Sequence, residues 1–102
     1  MLYQFEPVRE SSAYLPYRYV VVYQKEAVTH RRYFIEEDKA EAWRDWAIEV
    51  TSQQLPTGVT LDIRHKHPFL ARKRIKKVRH SRYCNSVEDA IRWQRYVEDT
   101  FR

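Results

Sequence analysis

The chain repeats the stretch His30-Arg31-Arg32-Tyr33 after 50 residues, as His80-Ser81-Arg82-Tyr83. The similarity continues without a gap into the next segment, where Ala40, Trp43, Trp46 and Glu49 correspond to Ala90, Trp93, Tyr96 and Asp99. The alignment of Trp43 with Trp93 is not easily explained by chance in a chain that contains three tryptophans. Self-similarity at a fixed period indicates two copies of one supersecondary unit, so the repeat predicts the fold.

The first copy has the pattern of two strands followed by a helix. Residues 17–24 and 28–35 are rich in aromatic and β-branched residues, which predicts a hairpin around the polar break Lys25-Glu26-Ala27. The acidic stretch Glu36-Glu37-Asp38 then precedes a predicted helix of about 14 residues, whose apolar residues recur at helical spacing. These residues are Ala40, Trp43, Ala47 and Val50. The segment 53–58 is predicted to end the helix and to link the two copies.

The strands of the second copy are less clearly marked. A strand is predicted over residues 59–66, which His67-Pro68 interrupts. Two predictions stay open for residues 69–82: a basic helix, since Ala, Leu, Lys and Arg favour helices, or part of a strand. The repeat favours a strand over residues 72–84, because it places Val78 to Cys84 on the second strand of the first copy, Val28 to Phe34.

The last helix has a clear beginning. Ser86 has the position of an N-cap, and Asp89 stands at the reciprocal capping position. Its predicted apolar face comprises Val87, Ala90, Ile91, Val97 and Phe101.

The order ββα–ββα predicts an α+β fold, a pseudo-symmetric tandem with a four-stranded antiparallel sheet and two helices packed on one face. With 102 residues, the chain is expected to form a single domain over residues 1–102. The first unit is expected over residues 16–54 and the second over residues 57–102. Residues 1–15 are expected to form an N-terminal arm with a short strand at Leu2–Phe5.

Composition predicts a soluble cytoplasmic protein. The single Cys84 cannot form an internal disulfide, which favours a reducing compartment. The longest apolar run, Val20-Val21-Val22, is far shorter than the roughly 20 residues of a membrane span. Glu6 and Pro7 leave no room for the apolar part of a signal peptide.

Positive charge is concentrated in one stretch of the second copy. Residues 63–87 contain no Asp or Glu, whereas residues 1–62 carry a net charge of −3 and residues 88–102 one of −1. The basic residues of this stretch are Arg64, Lys66, Arg72, Lys73, Arg74, Lys76, Lys77, Arg79 and Arg82. Such a concentration attracts polyanions and costs stability through self-repulsion, so these nine residues are the predicted nucleic-acid-binding surface. A solvated edge strand, protected by Lys against aggregation, is the simpler alternative.

Catalytic and metal chemistry find little support. His65, His67 and His80 are the only candidate metal ligands, and the surrounding Lys and Arg would repel a cation. No Gly-rich phosphate loop, nucleophile motif or Cys pair is found, so no enzyme activity, cofactor or metal is expected.

The aromatic residues of the repeat are predicted to have two roles. Trp43 and Trp93 lie on the apolar faces of the helices and are expected in the core, whereas Trp46 and Tyr96 lie to one side and are the expected partner interface. The tyrosine of His-x-Arg-Tyr is expected to pack under the helix in both copies.

Residues 17–50 resemble the arm-type (AP2-like) N-terminal DNA-binding domains of phage integrases. The resemblance rests on Tyr17–Tyr23, on Arg31-Arg32-Tyr33-Phe34 and on Glu37-Asp38-Lys39-Ala40-Glu41-Ala42-Trp43. In that family a basic strand ends in an aromatic residue and leads into an acidic, Ala-containing helix, and the sheet contacts DNA. The resemblance therefore implies DNA binding and an origin in a phage or mobile element. The chain is predicted to depart from the family by having two strands per unit rather than three, and it lacks the family's Gly turns and a recombinase catalytic region.

Three functions follow as hypotheses. The preferred one is a non-enzymatic module that binds the phosphate backbone of DNA or RNA through the basic hairpin of the second unit. The second is a small inhibitor or adaptor that binds a protein or nucleoprotein complex, with Trp46 and Tyr96 as anchors. The third is a metal-free RNase that uses His65, His67 or His80. A homodimer formed through edge strands stays open, and no membrane partner is expected.

Overall fold

A computed structural model describes residues 3–102 and shows an α+β protein with two antiparallel sheets and two helices. The chain divides into two compact units, of which the first ends at Ser52 and the second begins at Gln53. Each unit has its own sheet, so the predicted single four-stranded sheet under both helices is wrong. The first hairpin pairs with two short strands that precede it in the chain, and the second hairpin pairs with one.

The sheet of the first unit is built around one central strand. Its elements are β1 (Tyr3–Phe5), β2 (Arg9–Tyr14), β3 (Tyr17–Lys25), β4 (Val28–Phe34) and the helix α1 (Glu37–Thr51). β4 pairs with one edge of β3, while β1 and β2 pair with successive parts of its other edge. This central position explains why four consecutive residues, Val20–Tyr23, are buried.

The predicted N-terminal arm is therefore mostly strand. The short strand expected at Leu2–Phe5 is confirmed for Tyr3–Phe5, and Leu2 lies outside the described residues. β2 was not predicted, because its polar composition gives no apolar alternation, and its pairing with β3 stabilises it instead.

The second unit has three strands and a helix. They are β5 (Val59–Leu61), β6 (Phe69–Ile75), β7 (Val78–Cys84) and α2 (Val87–Phe101), with strand order β5-β6-β7. The strand predicted over residues 59–66 ends at Leu61. There the backbone N–H of His65 donates to the carbonyl of Asp62, and the N–H of Asp62 donates to that of Pro68. These bonds turn the chain back into β6.

Residues 69–84 form a hairpin, so the alternative basic helix is wrong. The placement of Val78–Cys84 on the second strand of the first copy is confirmed, whereas a turn divides the strand predicted over residues 72–84 into β6 and β7. The two-residue turn consists of Lys76 and Lys77, whose φ angles are 50° and 67°. Such left-handed turns usually contain Asn-Gly, and no such signal is present in the sequence. The first hairpin turns in the same way at Glu26 and Ala27, with φ angles of 51° and 70°.

The two hairpins have the same register after an offset of 50 residues. Tyr19 pairs with Phe34 in the first hairpin, and Phe69 pairs with Cys84 in the second. Both helices contain 15 residues and begin and end at positions that differ by 50. Ser86 caps α2 as predicted, since its Oγ accepts from the backbone N–H of Asp89 at 3.1 Å.

Each helix packs on the sheet of its own unit. The predicted stripe of α1 is confirmed for Ala40, Ala47 and Val50, which are buried, while Trp43 is half-buried. In α2 the buried residues are Ala90 and Val97. Neither of these helices is long and apolar enough to cross a membrane.

The only glycine of the sequence, Gly58, allows the first strand of the second unit to lie close to its neighbour. Gly58 has a φ of 80°, and a Cβ built there would lie 2.8 Å from the carbonyl oxygen of Arg72. Its own carbonyl accepts a 2.7 Å hydrogen bond from the N–H of Arg72. A side chain at this position would push β5 away from β6, so glycine is required both for its backbone conformation and for the close approach.

Candidate nucleic-acid interface

Cross-strand pairing assigns the residues of the second hairpin to two faces. Directly paired residues of antiparallel strands project on the same side, and successive pairs alternate. Lys73 pairs with His80, whose ring stacks on Phe101 of α2 with centroids 4.6 Å apart. This pair therefore lies on the helix side. The pairs on either side of it, which include Arg72 and Arg74, lie on the opposite side.

We call this opposite side the open face of the second sheet. Its pairs are Leu70 with Tyr83, Arg72 with Ser81 and Arg74 with Arg79, and Thr60 of β5 pairs with Leu70. The three arginines are exposed. Among residues 3–102, the ion pairs of the second unit involve Arg64, Lys73, Arg92 and Arg102 and none of these three. Three like charges on one face with no paired carboxylate produce a positive potential directed to solvent.

The other predicted residues of the hairpin lie elsewhere. Lys76 and Lys77 form its exposed turn. Lys73 lies on the helix side with its Nζ 3.6 Å from Glu98 Oε2. Arg82 pairs with buried Ala71 and so also projects toward the helix side, although its side chain reaches solvent.

The two basic residues before the hairpin belong to the turn after β5. Arg64 Nε lies 3.1 Å from Asp62 Oδ1, so part of its charge is neutralised within the turn. Lys66 is exposed in the same segment. The nine predicted residues therefore do not form one surface: three share the open face and two lie at the hairpin turn.

The three histidines do not converge on one point. His65 stacks on Tyr83, and its Nδ1 accepts from the backbone N–H of His67 at 3.1 Å. His67 Nδ1 is hydrogen-bonded to Asn85 Oδ1, whereas His80 lies on the other side of the sheet. Within residues 3–102, no group of three or more His, Cys, Asp or Glu side chains is arranged to hold a metal ion.

The repeated tyrosine does not pack under the helix, which corrects the prediction. Tyr33 pairs with Val20 and contacts Tyr14 edge to face, and Tyr83 stacks with His65 on the open face. The arginine of the repeat, and not the tyrosine, lies on the helix side of the first sheet, where it contacts Trp43. The guanidinium of Arg32 lies 5.1 Å from the ring centroid of Trp43.

The first sheet has two exposed basic residues, not predicted from the sequence, on the side that faces away from its helix. Arg9 pairs with Val20 and Arg31 pairs with Val22, whereas the neighbouring pair that contains Arg32 lies on the helix side. The net charge of the first half of the chain is negative because of the carboxylates of α1, so the charge distribution along the sequence did not indicate these two arginines. Counting positions outward from the hairpin turn would have found Arg31, because the turn sets the alternation of faces.

The tryptophans of the first helix follow the predicted division in part. Trp43 contacts Tyr23 and Phe34 with ring centroids 5.7 and 5.9 Å away, as expected for a core residue. Trp46 is half-buried, with its centroid 6.4 Å from that of Trp43. Its counterpart Tyr96 is 61% exposed.

Cys84 is a packing residue at the end of β7. Its side chain is buried, and burial raises the pKa of the thiol above its ordinary value of 9.0, so the thiol is neutral at pH 7. A neutral, buried thiol is a poor nucleophile.

Comparisons of the whole chain with known proteins give no relative: no family model, curated protein or solved structure matches it. Inferences about function therefore rest on the geometry of the two units.

Proposed function

We propose that the second unit binds the phosphate backbone of nucleic acid through the open face and turn of its hairpin. The residues that carry the contact are Arg72, Arg74, Lys76, Lys77 and Arg79. The observation behind the proposal is the arrangement of three exposed arginines on one sheet face to which no described carboxylate is paired. Phosphate is the anion that a row of guanidinium groups binds best, since each group offers donors in a planar fork.

The position of these residues on strands favours an extended anion over a single one. Residues two apart on a strand are separated by roughly 6.6 Å, so Arg72 and Arg74 would contact different phosphates. A two-stranded ribbon has the width to follow a groove of a duplex, and the lysines at its turn would extend the contact along the backbone. Backbone contacts of this kind position a protein without reading sequence.

We also propose that the two units are copies of one hairpin-and-helix unit, of which the second became the main binding surface. The shared register, the matching helix bounds and the same left-handed turn support this. The second unit has three strands and a helix in place of the two strands expected, which also supports the resemblance to arm-type DNA-binding domains; the first unit has four strands. Arg9 and Arg31 would then be the first unit's smaller contribution to DNA binding.

A protein partner is the second candidate. Tyr96 is 61% exposed on α2, on the opposite side of the sheet from the three arginines, and an aromatic residue so placed is a common interface anchor. An acidic protein surface would satisfy the same arginines. The RNase hypothesis retains only His65 and His67, whose ring centroids are 6.0 Å apart.

The test is a salt titration of binding to random duplex DNA, duplex RNA and single strands. We expect log affinity to fall linearly with log salt concentration. Replacing Arg72, Arg74 and Arg79 by Ala should lower the slope by about 3, one unit for each lost phosphate contact. The matched control removes the same charge from two exposed helix positions and from the residue that follows α2, as Lys39→Ala, Arg95→Ala and Arg102→Ala, and should leave the slope nearly unchanged.

Two results would contradict the proposal. One is the lack of measurable binding to any of these nucleic acids at about 50 mM salt, where backbone contacts are strong. The other is an equal loss of affinity in both triple variants, which would indicate a response to net charge alone. Selective binding to one purified acidic protein would favour the second candidate.

A further inference from the structure

The second unit contains a pocket that the proposed backbone contact does not use. It lies between β7 and α2 and has a volume of about 500 Å³, within the range of ligand-binding pockets. Arg82 and Cys84 line it from the strand, and Arg92, Trp93 and Tyr96 line it from the helix. His67 and Asn85, which are hydrogen-bonded to each other, stand at its edge.

The corresponding space in the first unit is filled by side chains. Phe34 occupies the register position of Cys84, and its ring packs on Trp43 with centroids 5.9 Å apart. The guanidinium of Arg32 lies over both rings, 5.6 Å from Phe34 and 5.1 Å from Trp43. A cysteine at this position is much smaller than a phenylalanine, and the second unit has an open pocket where the first has a ring.

Two further differences make the pocket of the second unit polar and cationic. Asn85 stands 50 positions after Ile35, and Arg92 stands 50 positions after Ala42. Both changes place a polar or charged group at the pocket wall.

The pocket wall combines the groups that recognise a nucleotide. Trp93 and Tyr96 offer aromatic faces, on which a base stacks. Arg82 supplies a cation for a phosphate. Arg92 Nη1 lies 3.5 Å from Asp89 Oδ1, so the wall also contains an ion pair. The His67–Asn85 pair adds amide and imidazole groups able to hydrogen-bond a base edge.

We propose that this pocket binds one nucleotide, with the base against Trp93 and Tyr96 and the phosphate at Arg82. The inference goes beyond backbone binding, and it does not depend on the open face. The nucleotide has two sources with the same chemistry: a free mononucleotide, or an unpaired nucleotide of a DNA or RNA chain.

The test begins with calorimetric titration of the full chain with adenosine 5′-monophosphate. Cys84→Phe, which installs the side chain of the first unit, should fill the pocket and abolish binding. Tyr96→Ala should weaken binding by about tenfold, the order of magnitude of one lost stacking contact. Arg92→Ala removes a cation from the pocket wall and should also weaken binding. Arg95→Ala removes the same charge from an exposed position of the same helix, outside the pocket, and should change nothing.

If Cys84→Phe fails to fold, the two variants on the surface of α2, Arg92→Ala and Tyr96→Ala, still test the proposal. No binding of the mononucleotide at about 1 mM, or unchanged affinity in both Arg92→Ala and Tyr96→Ala, overturns the proposal. Binding that survives in a folded Cys84→Phe protein also overturns it. The triple variant of Arg72, Arg74 and Arg79 should bind the mononucleotide normally, so a failure of the backbone proposal is distinguished from a failure of this one.

A second arm separates the two sources. A single-stranded oligonucleotide of about six nucleotides, long enough for one binding site, is titrated into the wild type and into Arg92→Ala. Weaker binding of both the oligonucleotide and the mononucleotide assigns the pocket to a nucleotide of a chain. Weaker binding of the mononucleotide alone assigns it to a free nucleotide.

Discussion

The ammonium group of Lys73 lies 3.6 Å from a carboxylate oxygen of Glu98, on the side of the second sheet that faces α2. Its sequence neighbours Arg72 and Arg74 project from the other side, because consecutive strand residues alternate. Three consecutive cations are thus divided between an ion pair and an open surface. A surface ion pair of this kind contributes about 0–1 kcal/mol to stability. Its main consequence is that the charge of Lys73 is held on the helix side and not on the open face.

Replacing Lys73 and Arg74 separately by Ala tests this division. Arg74→Ala should weaken binding to duplex DNA and lower the salt slope by about 1, because it removes one phosphate contact. Lys73→Ala removes the same charge but should leave the slope unchanged. Fluorescence anisotropy at several salt concentrations measures both, and equal slopes in the two variants would contradict the assignment of faces.

The hairpin turn of the second unit should be more stable with a standard turn sequence. Lys76 and Lys77 both have positive φ angles, and a left-handed conformation costs roughly 1–2 kcal/mol in a residue with a side chain. Lys76→Asn combined with Lys77→Gly should therefore raise the free energy of unfolding by about 1–2 kcal/mol, while weakening nucleic-acid binding.

The matched control is the same change in the first hairpin, Glu26→Asn with Ala27→Gly, at φ angles of 51° and 70°. It should stabilise the protein to a similar degree without lowering affinity. Urea unfolding and anisotropy measure the two effects, and a loss of affinity in both variants would count against a role for the lysines.

The two helices should respond differently to loss of the residue before them. Ser86 Oγ accepts from the N–H of Asp89 at 3.1 Å, whereas Glu36 makes no side-chain capping bond. Ser86→Ala should lower the free energy of unfolding by about 1 kcal/mol, as is usual for loss of an N-cap. Glu36→Ala should cost clearly less, and equal losses in urea unfolding would argue against this difference in capping.

Cys84 should show the pH dependence of a buried thiol. Burial raises its pKa above 9.0, so the folded protein holds the thiol proton at pH values where the unfolded chain has lost it. The contribution of Cys84 to stability is therefore complete below pH 9.0 and is lost as the pH rises through the higher folded pKa.

Two measurements check this expectation. The difference in unfolding free energy between the wild type and Cys84→Ala should decrease as the pH rises above 9.0. A thiol reagent at pH 7 should modify the folded protein much more slowly than the urea-unfolded chain. Rapid modification of the folded protein would show that the thiol is accessible and ionised.

The sequence predicted those helices and turns whose formation depends on residues close to one another in the chain. Both helices, the cap at Ser86 and the first hairpin follow from composition and spacing, and the structure contains each of them. The turn at Lys76 and Lys77 was missed, because its conformation is imposed by strand pairing and not by Gly or Asn. β2 was missed for a related reason, since its stability comes from β3 and not from its own residues.

The candidate site was predicted in position but not in geometry. The acid-free basic segment is visible in the sequence, yet four of its nine residues lie at neither the open face nor the turn. The direction of each side chain depends on the register of β6 with β7, and a shift of one residue would reverse every face.

The sequence by itself determined the repeat, the helices and the concentration of net positive charge in one half of the chain, because these are properties of residue order and composition. Only the tertiary structure decided that each half forms its own sheet, that Lys73 and Arg74 face opposite sides, and that Cys84 borders a pocket where Phe34 fills the equivalent space. Those outcomes depend on hydrogen bonds and packing between residues far apart in the chain, which no local pattern encodes.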